Sequence, residues 1–302
     1  MPKPTLMIDS SIRPTDNAKG CVDENGQHSF AGFTQRIERL VELWQLADVV
    51  PLTNLSVNFL ANAIRDGQRV VLKIGREEKA IHRESSWLTH YGQHTSRVVV
   101  PVLERDGHDA YLMPRLDPGI SVDRIPDDTA TEIIGSCINS LTESSTTIPL
   151  EPSYPNLREW FTLLEHTSEA SRRKLCKRID RAYGLFCELV HASESRLLHG
   201  DLHHYNLLND NNCWIVTDPK GVIGDPSHEC AAMLRNALGS LHGAVSRGVR
   251  RRVDQLASIT GFEASRIAAW GYAQNVLSCA WALEEDPYTD VSEVLVVVDA
   301  LE

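Results

Sequence analysis

The chain has 302 residues and carries 30 Lys and Arg against 41 Asp and Glu, a formal net charge of −11. Its hydrophobic fraction of 42% and charged fraction of 24% are those of an ordinary globular protein, with length enough for one large domain or two lobes. The acidic balance argues against a nucleic-acid partner, which would want a basic face, and it permits a cationic small-molecule substrate without demonstrating one.

Residues 1–19 lack the apolar core of a secretory signal, and the most apolar run, Val294–Val298, is far too short to span a bilayer. The expectation is a cytoplasmic protein with no membrane partner. The seven cysteines form no C-x-x-C pair, and Cys137, Cys187 and Cys279 sit in apolar helical runs, as buried reduced thiols would. Nothing in the sequence specifies an oligomeric state.

In chain order, residues 1–30 are polar and aperiodic, a loosely packed lead-in. Ile37, Leu40, Val41 and Trp44 recur at helical spacing within a helix over Thr34–Leu46. Strands follow at Ala47–Leu52, Val57–Ile64 and Arg69–Ile74, the last two joined by a hairpin turn at Asp66-Gly67. A helix over Glu77–Tyr91 precedes two further strands at Arg97–Leu103 and Ala110–Met113. This order defines a β-rich lobe over 31–112, and the breaker-rich Met113–Gly119 reads as a hinge.

From residue 120 the chain reads as a mostly helical lobe. Glu169–Ser193 is the clearest helix, with Leu175, Ile179, Tyr183, Phe186 and Val190 on one face. Trp214–Thr217 is a short strand. Helices are expected over Pro226–Leu241, Ser246–Ile259, Glu263–Leu283 and Asp290–Leu301.

The stretch that carries chemistry is His199-Gly200-Asp201-Leu202-His203-His204-Tyr205-Asn206, followed by Ile215-Val216-Thr217-Asp218-Pro219-Lys220-Gly221. It has the form H-x-D-x-x-x-x-N followed by an Asp after an apolar run. Phosphoryl transfer from ATP needs a group to orient and accept the proton of an attacking hydroxyl, and oxygen ligands to hold Mg2+ on the phosphates. Asp201 is the candidate base; Asn206 and Asp218 are the candidate metal ligands. Gly-Asp and Asp-Pro are also ordinary turn dipeptides; it is the order and spacing of the three that single them out. His199 fits a loop-holding role better than a chemical one. His203, His204, His90 and His94 lack the Cys or carboxylate partners of a zinc set.

With these elements in place the chain resembles the aminoglycoside phosphotransferase family over about residues 44–240, and by helix content alone beyond. Asp218-Pro219-Lys220-Gly221 with Ile223-Gly224-Asp225-Pro226 is most similar to the streptomycin 6-phosphotransferase and hydroxyurea phosphotransferase branch. The resemblance implies an α+β, protein-kinase-like two-lobe fold: a nucleotide-binding N-lobe (31–112), a hinge (113–119) and a helical C-lobe (120–302) with the catalytic loop and acceptor site. It implies ATP and Mg2+ as cofactors and a small hydroxylated acceptor as partner, an aminocyclitol drug or a metabolite.

Carried over residue by residue, Lys73 grips the phosphates and Glu84 pairs with it; Glu77 and Glu78 compete for that role. The backbone of Met113, Pro114, Arg115 and Leu116 meets the adenine. Asp225 and Glu229 support the catalytic loop, Glu229 standing where the branch usually has Asp. Lys220 is either a phosphate or substrate contact or an exposed loop lysine. The loop between the first two strands has no glycine, so Thr53, Asn54 and Ser56 would have to meet the phosphates, with less backbone freedom. That departure leaves ATP or GTP open, and is the one feature favouring a nucleotide-binding module without turnover. Glu284, Glu285 and Asp286, near Trp270 and Trp281, are either an acidic acceptor wall or a solvated helix end.

Overall fold

A computed structural model of the chain describes residues 30–302, apart from 53–57, 76, 96–97, 108, 145–146, 150–151, 192–193 and 242–243. The chain divides into two compact units. One takes residues up to Thr89 together with 100–116; the other takes 90–99 and 117–302. The division is therefore not contiguous in sequence, as the expected lobe boundaries were.

In the first unit, helix α1 (Phe30–Leu43) buries Ile37, Leu40 and Val41, with Trp44 just after it. Strands β1 (Ala47–Pro51), β2 (Phe59–Arg65) and β3 (Gln68–Ile74) follow, then helix α2 (Glu78–His94), β4 (Glu104–Asp106) and β5 (Ala110–Pro114). They form an antiparallel five-stranded sheet in the order β1-β2-β3-β5-β4. Asp66 (φ 50°) and Gly67 (φ 76°) close the β2–β3 hairpin, Arg65 pairing with Gln68. Two left-handed central residues are what a twist-matched two-residue turn requires. The core is α1 against one face of the sheet, with Ala61, Leu72, Ile74 and Leu112 fully buried. The strand expected over Arg97–Leu103 does not form in its described part; the short β4 lies beyond it. Pro101 cannot donate to a ladder, which stops pairing there.

The second unit takes the end of α2, from His90, and then β6 (Pro118–Ser121), α3 (Asp127–Ser144), α4 (Leu157–Phe161), α5 (Glu169–Leu175), α6 (Lys177–Leu189) and β7 (Arg196–Leu198). It continues through β8 (Leu207–Asp210), β9 (Cys213–Val216), β10 (Val222–Gly224), α7 (Ala231–Leu234), α8 (Val245–Thr260), α9 (Ala264–Glu285) and α10 (Ser292–Ala300). β6, β8 and β9 make one small sheet, β7 and β10 another. α9 is the central helix. Its Ile267, Trp270, Ala273, Val276, Leu277, Ala280 and Leu283 are all fully buried, the pattern of a helix surrounded by protein. α6, α7, α8 and α10 pack on it.

Three expectations for this unit are corrected. The helix over 169–193 is broken at Cys176, which takes φ 50° and ψ −132°; periodicity reports a buried face, and that face continues across the break. The helix over 226–241 reduces to a 3-10 turn at Pro226–Cys230, the single turn of α7 and a second 3-10 turn at Leu238–Ser240. Its continuation is withdrawn because backbone carbonyls there serve a buried arginine, described below. Cys187 is exposed, whereas Cys137 and Cys279 are buried as expected; all six described cysteines are free thiols. Among the described residues no helix is long and apolar enough to cross a membrane.

Candidate active site

In the first unit Lys73 lies on β3, the middle strand, within a run of buried positions, so it is no edge-strand lysine. Its Nζ donates to Oε1 of Glu84 on α2 at 2.6 Å, and both side chains are buried. Tyr111, directly across from Lys73 on β5, donates its hydroxyl to the same oxygen at 2.6 Å. A buried lysine needs such a partner, because an unpaired charge is costly to desolvate. Glu77 and Glu78 are exposed, so Glu84 is the carboxylate that pairs. Met113 and Pro114 close β5 half-buried, and the Arg115 N–H is engaged with the Arg69 carbonyl at 3.0 Å. Leu116 ends the unit. Thr53, Asn54 and Ser56 lie outside the described residues.

In the second unit, β7 delivers the chain to His199, and the loop to Asn206 returns as β8. Gly200 takes φ 82°, and a Cβ there would stand 2.8 Å from Val222 and 2.9 Å from Trp160. Only glycine makes this turn without displacing a neighbour. His199 is fully enclosed. Its Nδ1 accepts the Asp201 N–H at 3.2 Å and its Nε2 donates to the Thr217 carbonyl at 2.9 Å, the tautomer these partners define. Burial pushes the His199 imidazole down to about 4, so it is a neutral brace between the loop and the Asp218 segment. The Lys220 N–H donates to the His199 carbonyl at 2.8 Å and closes the same brace.

Asn206 is buried. Its Nδ2 donates to the Asp201 carbonyl at 2.9 Å, and the Thr217 N–H donates to the Asn206 carbonyl at 2.9 Å. The side-chain amide is thereby oriented, and the Asn206 oxygen is the atom it can present to a cation. Asp218 is half-buried with φ 60°, a left-handed conformation uncommon outside glycine, though aspartate and asparagine adopt it more readily than other residues. Such a backbone persists where surrounding structure enforces it and concentrates at functional positions.

Asp201 is half-buried. Burial alone would raise its carboxyl; the neighbouring His203 imidazole, with the charges of Arg235 and Lys220, overcomes this and holds it far below the usual carboxylate range. Arg235 Nη2 donates to Oδ1 at 3.2 Å, and His203 Nε2 lies 3.6 Å from Oδ2. The Lys220 side chain is exposed.

Beneath the loop, Oε1 of the buried Glu229 accepts the Gly200 N–H at 3.0 Å, while its Oε2 has no partner among the described residues. Burial raises this carboxyl to about 8, so it is protonated at neutral pH. Asp225 is held by Ser227 (N–H 3.0 Å, hydroxyl 2.8 Å), by the Trp270 indole at 2.7 Å and by Arg266. These bonds outweigh its burial and keep it ionised.

The structure therefore gathers His199, Asp201, Asn206, Asp218, Lys220, Asp225 and Glu229 in one unit, and Lys73 with Glu84 in the other. Sequence reasoning missed Tyr111 and Arg235. The signal for Arg235 was its charge after a wholly apolar stretch, Cys230–Leu234. Glu284 is taken up by the Ser168 N–H and the Ser171 hydroxyl, at 2.8 and 2.6 Å, where it caps the start of α5. Glu285 and Asp286 are exposed, as at a solvated helix end.

Among solved structures the fold is similar to an amicoumacin kinase in complex with AMP-PNP and Ca2+, with a TM-score of 0.66 at 14% identity, covering 89% of this chain and 91% of that one. The fold is protein-kinase-like. Over residues 44–286 the chain matches the family described as Aminoglycoside/hydroxyurea antibiotic resistance kinase, and it belongs to that family of small-molecule O-phosphotransferases. It is 25% identical to a streptomycin 6-kinase of Streptomyces glaucescens over 87% of each chain. It is 26% identical to a hydroxyurea phosphotransferase of Kitasatospora aureofaciens, over 86% of this chain and 76% of that one.

Proposed function

We propose that the chain transfers the γ-phosphoryl group of ATP to a hydroxyl of a small molecule, with Asp201 receiving that hydroxyl. The observation that supports this most is the built setting of Asp201. Its backbone is fixed by His199 and Asn206, and its carboxylate is kept ionised by neighbouring donors and cations. A carboxylate so stabilised is a weak base. It contributes chiefly by aligning the hydroxyl for in-line attack, taking up the proton as the bond to phosphorus forms.

Asn206 and Asp218 supply a side-chain amide oxygen and a carboxylate, the hard donors Mg2+ prefers, in a set that leaves phosphate oxygens and water to complete an octahedron. The donor chemistry fits the ion. Bound there, Mg2+ would neutralise charge on the phosphates. Lys73, held by Glu84 and Tyr111, is the residue we assign to the α- and β-phosphates, a point charge suited to that task. The solved relative with AMP-PNP and Ca2+ supports nucleotide and divalent-metal use.

For the acceptor, the named relatives put streptomycin and hydroxyurea first. The test is direct: express the chain in a sensitive bacterium, challenge it with each compound, and look for the phosphorylated product by mass spectrometry. Resistance with product supports the antibiotic reading. Neither, alongside transfer to another hydroxyl compound, removes the drug and keeps the kinase. The metal assignment is tested by Asp218→Ala, which should abolish the gain in ATP affinity that Mg2+ gives the wild type while the apo protein melts normally.

A further inference from the structure

Arg235 stands 34 residues beyond Asp201, immediately after α7. Besides its bond to Asp201 Oδ1, it donates from Nη1 to Oδ1 of Asn275 at 3.4 Å. Asn275 is fully buried on α9, and its Nδ2 has no partner among the described residues. The guanidinium therefore spans the carboxylate and an anchored amide of the central helix.

The backbone that carries Arg235 is itself clamped. Arg252 on α8 is fully buried, and its Nη1 donates to the carbonyls of Met233 at 3.0 Å and Asn236 at 2.8 Å. Its Nε donates to Oδ1 of the buried Asp127 at 3.1 Å. The Asn236 side chain donates to the Ala232 carbonyl at 2.7 Å, and Ala237 turns the chain with φ 53°. Carbonyls on both sides of Arg235 are thus committed, and the helix cannot continue through it.

The second oxygen of Asp201 has a different setting. His203 Nδ1 accepts the Tyr205 N–H at 3.2 Å, which leaves the ring proton on Nε2, facing Oδ2. Oδ1 is bonded to the guanidinium at 3.2 Å, whereas His203 Nε2 stands 3.6 Å from Oδ2, beyond a normal hydrogen bond, so Oδ2 is the oxygen more open to an incoming hydroxyl. We propose that Arg235 is a positioning residue for phosphoryl transfer: it fixes the Asp201 carboxylate so that Oδ2 receives the acceptor hydroxyl, with Asn275 and Arg252 holding the guanidinium in place. The inference rests on the reading of Asp201 given above.

Magnitudes separate this role from a structural one. A partly exposed ion pair is worth at most about 1 kcal/mol of stability, so its loss should hardly move the melting temperature. Misplacing a reacting group by about 1 Å can cost 10²-fold in rate. Arg235→Gln should therefore lower kcat by about 10- to 100-fold and leave nucleotide KM and melting temperature nearly unchanged. Arg235→Lys, which keeps the charge without the planar fork, should fall between.

The test is a double-mutant cycle in the full chain. Phosphate release from Mg-ATP to water serves as the reaction, which needs no knowledge of the acceptor. On an Asp201→Asn background, Arg235→Gln should cost less than about 2-fold, because residues acting as a unit are non-additive. An equal cost on both backgrounds, an unchanged kcat in Arg235→Gln, or a loss confined to nucleotide KM would overturn the inference. If Arg235→Gln does not fold, Arg235→Lys carries the same cycle with the same expected loss of effect. A near-normal Asp201→Asn would instead remove the reading of Asp201. A wild type that binds ATP and passes phosphate neither to water nor to any hydroxyl acceptor would remove both; where only an acceptor is phosphorylated, the cycle is read on that acceptor.

Discussion

The two units hold their charged residues by different means. In the first, Lys73 and Glu84 are 11 residues apart and meet through one direct bond, with Tyr111 placed by strand register. In the second, Asp201 depends on residues far along the chain: Arg235 at 34 residues and, through Gly200, Glu229 at 29. The first arrangement centres on one buried pair, with the Tyr111 hydroxyl on the same Glu84 oxygen. The second is a web in which each strand carries a modest share. The comparison teaches that Lys73 is placed by one sheet and the helix beside it, whereas Asp201 is held by groups drawn from several loops and turns.

The largest expected effect breaks the web at its centre. Asp201→Asn should lower kcat by roughly 10²- to 10⁴-fold, the scale of a lost general base, while nucleotide binding measured by calorimetry survives. Near-normal turnover would show that the web surrounds the wrong residue.

Next in size, Lys73→Ala should destabilise the protein by about 3–5 kcal/mol, the scale of breaking a buried ion pair by removing one member. The double variant Lys73→Ala/Glu84→Ala should recover part of that stability in urea titrations without recovering ATP binding. Full additivity of the two losses would mean that the pair does not act as a pair.

Glu229→Ala leaves the Gly200 N–H without its acceptor and should cost about 1–3 kcal/mol. Glu229→Gln keeps an oxygen for that N–H and should cost less; a reversed order would contradict the neutral state assigned to Glu229.

The last effect is on pH dependence. The Glu229 carboxyl stands at about 8 in the folded protein against a reference of 4.5, so between these values the folded state holds a proton that the unfolded state has released. Stability is then fully present below about 4.5 and falls as pH rises towards 8. His199 and His228, both pushed down by burial to about 4 from 6.5, act with the opposite sign. Their contribution is present above 6.5 and is lost as pH falls towards 4. Melting temperatures across pH 4–9 should therefore decline at both ends; Glu229→Gln should flatten the decline between about 6.5 and 8 and steepen the one between about 6.5 and 4.5.

The same contrast explains what could be read from the sequence. The five strands around Asp66-Gly67, apart from the one that Pro101 displaces, follow from alternation and turn chemistry. Asp201, Asn206 and Asp218 stand out because their spacing along the chain encodes their order, whereas Lys73 is picked out only by the family resemblance. Arg235 and Arg252 were not picked out, because what brings them to the loop lies elsewhere. Arg252 sits among Arg247, Arg250 and Arg251, which look like a solvated face. Its one distinguishing mark is that it falls on the apolar stripe of Val249, Val253 and Leu256, all buried. The breaks at Cys176 and after Leu234 are equally tertiary: apolar periodicity passes through them unchanged, and carbonyls taken by a buried guanidinium leave no trace in local composition.

The central claim is that Asp201 serves transfer of a phosphoryl group to a hydroxyl, and the most direct measurement follows that group. Mg-ATP labelled with 18O in its γ-phosphoryl group is incubated with wild type and Asp201→Asn, with streptomycin, hydroxyurea and a panel of small hydroxylated compounds as acceptors. Products are read by mass spectrometry. The account predicts a labelled phosphoryl group on at least one acceptor with the wild type, and a yield at least about 10²-fold lower with the variant. Equal labelling by the two proteins, or none on any acceptor or on water with the wild type, would contradict it.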